Sequence, residues 1–323
     1  MSPLELDLEL ERALVDYLRV RRALGFRLDR AERLLGQFAA YLADHDVQVP
    51  TIADALALAM LPADATPRWW AHRLGTVRAF AVYLHTLDPR VQVPPPGLLP
   101  SPPRRAIPYR YSPAEIATLI GAAAALPRPL GAATYQTLIG LLAVTGMRVG
   151  EAIALDRDDL DADHDLLLGV RCGKFGKARL IPLHPTTITV LRGYLNVRDE
   201  LLPAAAPGCS ALLVSTVGTR LCYNDVWRTF HRLLCRVGIT VRSASCRPRI
   251  HDLRHSFAVQ TMLDWYASGA DVQALLPRLS TYLGHTDPKH TYWYLHAAPE
   301  LLALAAQRLD ARQTGQRRRG RRP

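Results

Sequence analysis

Apolar residues recur at helical spacing through the N-terminal part of the chain. Leu14, Tyr17 and Leu18 form one stripe across Glu5–Leu24, and Gly25 supplies a stop. Ala31, Leu34, Leu35, Phe38, Tyr41 and Leu42 then follow the i, i+3, i+4, i+7 pattern of a second helix. Thr51, with Asp54 three residues on, predicts a capped third helix before Leu56–Leu61. Pro67 opens a fourth, with Leu74, Val77, Ala81 and Leu84 turned inward. Helices of this kind joined by short connections predict a small bundle.

The pattern breaks between Val91 and Arg110. Pro94, Pro95, Pro96, Pro100, Pro102, Pro103 and Pro108 forbid a helix there and predict an extended linker. Ser112-Pro113-Ala114-Glu115 restarts the helical pattern with a capping Ser, Pro at the first position and Glu at the third. Tyr135–Val144 is strongly apolar, so it predicts a buried helix, broken at Gly146. Leu166–Val170 and Ala178–Leu183 read as two strands joined by a hairpin tip at Gly173–Lys177, with a further short strand at Ala211–Val214. Pro185–Leu201, Asn224–Val237, His251–Ala267 and Pro299–Leu309 read as helices. The expected fold is mainly α with a small antiparallel β-sheet (α+β). Its expected division is a helical domain over 1–93, a Pro-rich basic linker over 94–110, a second domain over 111–310 and an Arg-rich disordered tail over 311–323.

Charge changes the picture. The chain has 323 residues and carries 40 Lys+Arg against 29 Asp+Glu, a formal charge of +11. Such a basic chain, long enough for two domains, points to nucleic acid or an anionic surface. Arg68, Arg73 and Arg78 run along the fourth helix, Arg104 and Arg105 lie in the linker, and Arg247 and Arg249 precede His251. These are expected phosphate contacts, although each alone reads equally well as a solvated face. No apolar run would span a bilayer and no signal peptide opens the chain, so a cytoplasmic, nucleoid-associated protein with no membrane partner is expected. Five cysteines without C-x-x-C spacing are expected to be reduced and structural.

The densest chemistry is His251-Asp252-Leu253-Arg254-His255. A His and an Arg three residues apart share a helix face, and at a helix start they make a phosphate site that can also move protons. His251 and His255 stand at metal spacing. The Glu of a zinc-binding H-E-x-x-H is missing and no third ligand is evident, so no metal is expected. A kinase loop would need H-R-D in order and a Gly-rich loop upstream. A basic helix cap without chemistry competes for the pentapeptide taken alone. Elsewhere, Arg148 emerges at the edge of the apolar helix, where it needs a carboxylate or a phosphate, and Glu151 is spaced to orient it. Lys174 sits on the hairpin tip, His285 follows the stop Leu283-Gly284, and Tyr294 lies nine residues later.

Taken in order, Arg148, Lys174, His251, Arg254, His285 and Tyr294 resemble the set found in tyrosine recombinases, the phage integrase family, of Xer-like or mobile-element type. The carrying motifs are Thr145–Glu151 (T-G-M-R-V-G-E), Gly173–Leu183 (G-K-F-G-K-A-R-L-I-P-L), His251–His255, Leu283–His285 and the following Tyr. Each alone is weak; the five in order are specific. The resemblance implies a SAM-like core-binding helical domain followed by a catalytic domain. It implies that Tyr294 is the nucleophile, forming a 3′-phosphotyrosine, and that Arg148 and Arg254 hold the non-bridging oxygens. Lys174, rather than Lys177, would protonate the leaving 5′ oxygen. His251 would assist the Tyr294 proton, His285 would bond the phosphate and Glu151 would brace Arg148. Tyr294 is favoured over Tyr292 by its distance from His285 and by the following Leu295-His296, where relatives often carry Thr or Ser in place of Leu295.

It further implies no cofactor, double-stranded recombination sites as substrate, a homotetramer on paired sites, a Holliday junction intermediate and possible accessory recombination proteins. With no domain ahead of the first helix, separate arm-type sites are not expected. The rival readings are a type IB topoisomerase-like enzyme, a catalytically silent DNA-binding protein and an HxxxH metalloenzyme.

Overall fold

The computed structural model describes residues 3–26, 28–100, 107–160, 167–170, 178–202, 209–243, 245–285, 287, 289, 291 and 292, without the side chains of 3–9 and 167. The chain forms two compact units, residues 1–105 and 106–323.

The first unit contains α1 (Pro3–Ala23), α2 (Asp29–Asp44), α3 (Ile52–Ala59) and α4 (Pro67–Leu87). Thr51 and Asp54 cap α3 reciprocally, and the Thr66 hydroxyl accepts from the Trp69 N–H at the start of α4. Leu35, Phe38, Leu42, Val77 and Phe80 are almost inaccessible and form the centre of the bundle. Among the basic residues expected on the outer face of α4, Arg68 is exposed and Arg78 half-buried. Arg73 is a correction. It is buried, and its guanidinium donates to the Leu61 carbonyl. It stands four residues before Val77 and seven before Phe80, both fully buried, so helical geometry carries it inside. Arg73 is therefore a packing and hydrogen-bonding residue of the bundle rather than a phosphate contact.

The second unit is built around α6 (Pro129–Thr145), which is buried on nearly every side. It packs on α5 (Pro113–Ala124), α8 (Pro185–Leu201) and α10 (Asp252–Ala267). Ser112 and Glu115 cap α5 as the sequence predicts. Strands β1 (Leu167–Val170) and β2 (Arg179–Pro182) pair antiparallel, with Leu167 opposite Pro182 and Val170 opposite Arg179. The connecting residues 171–177 lie outside the described residues. The expected strand at Ala211–Val214 is not one. These four residues are wholly buried, yet they make only single bridges, Asp156 to Ala211 and Val214 to Arg220, so no ladder forms. Further helices among the described residues are α7 (Val149–Ala154), α9 (Tyr223–Arg236) and α11 (Val272–Leu283), with a 3-10 turn at Arg157–Asp159. α7 is too short to show periodicity, and α11 carries an internal Pro277 that disguises it in sequence.

Cys209, Cys222, Cys235 and Cys246 carry no disulfide; Cys246 is buried, while Cys222 and Cys235 are exposed rather than structural. No helix among the described residues is long and apolar enough to cross a membrane. Cys172, Arg104, Arg105, the expected helix Pro299–Leu309 and the Arg-rich tail lie outside the described residues.

Candidate active site

Two helix ends make the site. α6 stops at Gly146 and α11 stops at Gly284, both glycines in the left-handed region, with φ of 61° and 67°. A helix C-terminus leaves carbonyls without intrahelical partners, at the negative end of the helix dipole. Here those carbonyls accept from arginines. Arg254 Nη1 donates to Gly146 O at 2.9 Å and Nη2 to Leu283 O at 2.6 Å. Arg148 Nη2 donates to the next carbonyl, Gly284 O, at 3.2 Å. Consecutive carbonyls at the end of α11 thus hold two guanidinium groups from separate parts of the chain. Arg254 is almost fully buried, at 2% exposure, so its plane is fixed before any ligand arrives.

Gly146 tolerates no side chain, because a Cβ there would overlap the Phe257 ring. Gly146→Ala adds that overlap to an unfavourable left-handed backbone. It is expected to lower stability by about 2–4 kcal/mol, read as a lower urea midpoint.

Arg148 is anchored a second time. Its Nη1 donates to Glu151 Oε1 at 2.7 Å and its backbone N–H to Oε2 at 2.8 Å. Arg179, the first residue of β2, reaches the same carboxylate with Nη1 to Oε1 at 3.1 Å and Nη2 to Oε2 at 2.7 Å. Burial opposes ionisation of Glu151, but the hydrogen bonds from Arg179 and Arg148 and the charge of Arg179 outweigh it and hold its pKa down at about 2. The expected Arg148–Glu151 pairing is present. Arg179 was not anticipated, since nothing in its spacing marks it.

His285 Nε2 lies 2.9 Å from Arg254 Nη2, and Nδ1 lies 2.7 Å from the Thr291 hydroxyl. Arginine only donates, so Nε2 accepts and the neutral ring carries its proton on Nδ1, which donates to Thr291. Thr291 is a second partner missed from sequence.

His251 sits at the start of α10, its ring edge-on to that of His255 at 5.5 Å. By surface area His251 is exposed, yet the protein packed around it, followed by the charges of Arg254, Arg249 and Arg148, pushes its pKa down to about 4. Burial first, and then His251 and the arginines, push His255 down to about 3. Both rings are neutral at physiological pH, and a neutral imidazole accepts a proton.

Arg247 and Arg249 are exposed, and Arg249 pairs with Asp252 at 2.9 Å. Among the described residues no group of three His, Cys, Asp or Glu side chains could hold a metal ion. The structure therefore brings Arg148, Glu151, His251, Arg254 and His285 together; Lys174 and Tyr294 lie outside the described residues.

Residues 110–300 match the phage integrase family. The chain is 45% identical over 308 residues to the "Putative integrase/recombinase y4rB" of Sinorhizobium fredii, covering 93% of this chain and 96% of that one. It is 31% identical over 229 residues to the tyrosine recombinase XerC of a Roseiflexus species, covering 70% of this chain and 67% of the relative. Its fold is similar to that of a lambda integrase tetramer bound to a Holliday junction, with a TM-score of 0.56 and 18% identity over 88% of this chain and 76% of that one. The chain belongs to the phage integrase family, the tyrosine recombinases. It is a DNA strand-transferring enzyme of site-specific recombination.

Proposed function

We propose that the chain cuts and rejoins DNA through Tyr294. The Tyr294 oxygen attacks the scissile phosphorus, the bond from phosphorus to the 5′ oxygen breaks, and a 3′-phosphotyrosine remains with a free 5′-hydroxyl. One phosphodiester replaces another, so the step needs no energy source. Arg148 and Arg254 bind the non-bridging oxygens as charge grows. His251, neutral at physiological pH, takes the Tyr294 proton, and Lys174 gives one to the departing 5′ oxygen. His285, set beside Arg254, contacts the phosphate. The observation that carries this reading is the meeting of Arg148 and Arg254 on consecutive carbonyls at the end of α11.

On this reading residues 1–93 bind the core of the site, 94–110 pass along the duplex, 111–310 hold the chemistry and 311–323 add salt-sensitive affinity. Arg68, Arg78, Arg104, Arg105, Arg247 and Arg249 contact phosphates. Four copies act on paired sites through a Holliday junction, with accessory proteins directing the outcome in the nucleoid. The likeness to a lambda integrase tetramer on such a junction supports the assembly.

The test is a nicked duplex carrying the bound site, from which the short flanking strand diffuses after cleavage. Wild type and Tyr292→Phe are expected to form an SDS-resistant adduct in the presence of EDTA, and Tyr294→Phe none. An adduct lost in Tyr292→Phe instead would move the nucleophile; no adduct on a site the protein binds would contradict the reading.

A further inference from the structure

Arg148 has two anchors, and both are tied to a third arginine. One anchor is the Glu151 carboxylate, the other the Gly284 carbonyl. Arg179 donates two hydrogen bonds to Glu151, and its Nε donates to Tyr282 O at 3.0 Å in the turn that ends α11. It also packs closely against that turn, since a Cβ on Gly284 would meet Arg179 Nη1 at 2.8 Å. The side chains of Arg179 and Glu151 are 14% and 3% exposed, so water offers neither a ready substitute. Oε1 of Glu151 is shared by both guanidinium groups, so Arg179 helps set the orientation of the carboxylate that Arg148 meets.

We propose that Arg179 is a positioning residue of the recombination reaction, which sets Arg148 by holding the Glu151 carboxylate beside the 282–284 turn. A planar fork with donors on three nitrogens suits this task, and a lysine ammonium does not. Nε, Nη1 and Nη2 of Arg179 face Tyr282 O and the Glu151 carboxylate, so its effect is on the rate of cleavage rather than on binding of the site. The inference rests on the phosphotyrosine reading.

The experiment measures single-turnover adduct formation on the nicked duplex at saturating protein, and affinity for the intact site. It uses wild type, Arg179→Lys, Arg179→Ala, Glu151→Gln and the double variant Glu151→Gln/Arg179→Ala. Displacing a reacting group by about an ångström costs on the order of 10²-fold in rate. Arg179→Ala is expected to lose about that much, with affinity changed less than about threefold, and Arg179→Lys to recover part of the rate. If Arg179 acts through Glu151, the double variant loses little more than Glu151→Gln alone, whereas a general structural defect adds to it.

An Arg179→Ala rate within about threefold of wild type would overturn the proposal. So would losses that multiply in the double variant, or a rate loss matched by an equal loss of affinity. If Arg179→Ala does not fold, the same cycle run with Arg179→Lys decides. A wild type that forms no adduct overturns the phosphotyrosine reading and this inference together. A wild-type adduct with an unimpaired Arg179→Ala overturns the inference alone.

Discussion

Arg254→Lys is expected to slow strand cleavage by about 10²- to 10³-fold while site binding persists. The side chain is buried among three acceptors, Gly146 O, Leu283 O and His285 Nε2, which lie in two directions from one planar group. A lysine ammonium is a point charge on a flexible stem and cannot hold the three at once. Charge near the phosphate would survive the substitution, so binding suffers little. The orientation that stabilises charge in the transition state would be lost, and with it the rate. Arg254→Ala is the harsher change, because it also leaves two helix-end carbonyls buried without their donor. Cleavage rate at saturating protein, beside affinity for the intact site, separates the two effects. Equal losses in both would contradict a preset guanidinium.

Glu151→Gln carries the second large effect, on stability. The carboxylate pairs with both Arg148 and Arg179, and its replacement leaves two largely buried cations without a counter-charge, at a cost of about 3–5 kcal/mol. The pH dependence follows from the pKa. Glu151 is held at about 2 in the folded chain, against about 4.3 for an unfolded glutamate. Its stabilisation is thus fully present above the unfolded value and drains away as pH falls through the folded one. The window runs from about pH 4.3 to about pH 2 and is worth about 3 kcal/mol. Urea unfolding across that window is expected to show wild type falling more steeply than Glu151→Gln, with the two curves approaching each other at the acid end. Parallel curves would show that Glu151 carries no such stabilisation.

Much of this site is legible in the chain because its parts are local. Thr145-Gly146-Met147-Arg148 and Leu283-Gly284-His285 each place a left-handed stop beside a functional side chain, and the His251–Arg254 spacing puts both groups at one helix start. The Arg148–Glu151 pair is likewise a matter of helical neighbours. What is illegible is what joins these pieces. Arg179 meets Glu151 across 28 residues and Tyr282 across 103, contacts that exist only once the start of β2 lies beside α7 and the end of α11. Thr291 is a single hydroxyl whose value depends on which His285 nitrogen Arg254 occupies. Arg73 errs in the opposite direction. It stands on the stripe of Val77 and Phe80, but a charged residue on a basic helix invites a surface assignment, and the carbonyl that accepts it lies beyond the end of α3. Buried runs are ambiguous for a related reason. Ala211–Val214 is apolar enough for a strand, yet strand pairing depends on partners that the local pattern does not contain.

The central claim is a covalent bond between DNA and one tyrosine, and locating that bond tests it most directly. The adduct formed on a nicked duplex would be digested with protease and nuclease, and the phosphorylated peptide sequenced by mass spectrometry. The account predicts one nucleotide-bearing tyrosine, Tyr294, joined to the 3′ side of the break, with a free 5′-hydroxyl on the released strand. A phosphate on Tyr292, a 5′ linkage, or a cleaved strand with no tyrosine attached would contradict it.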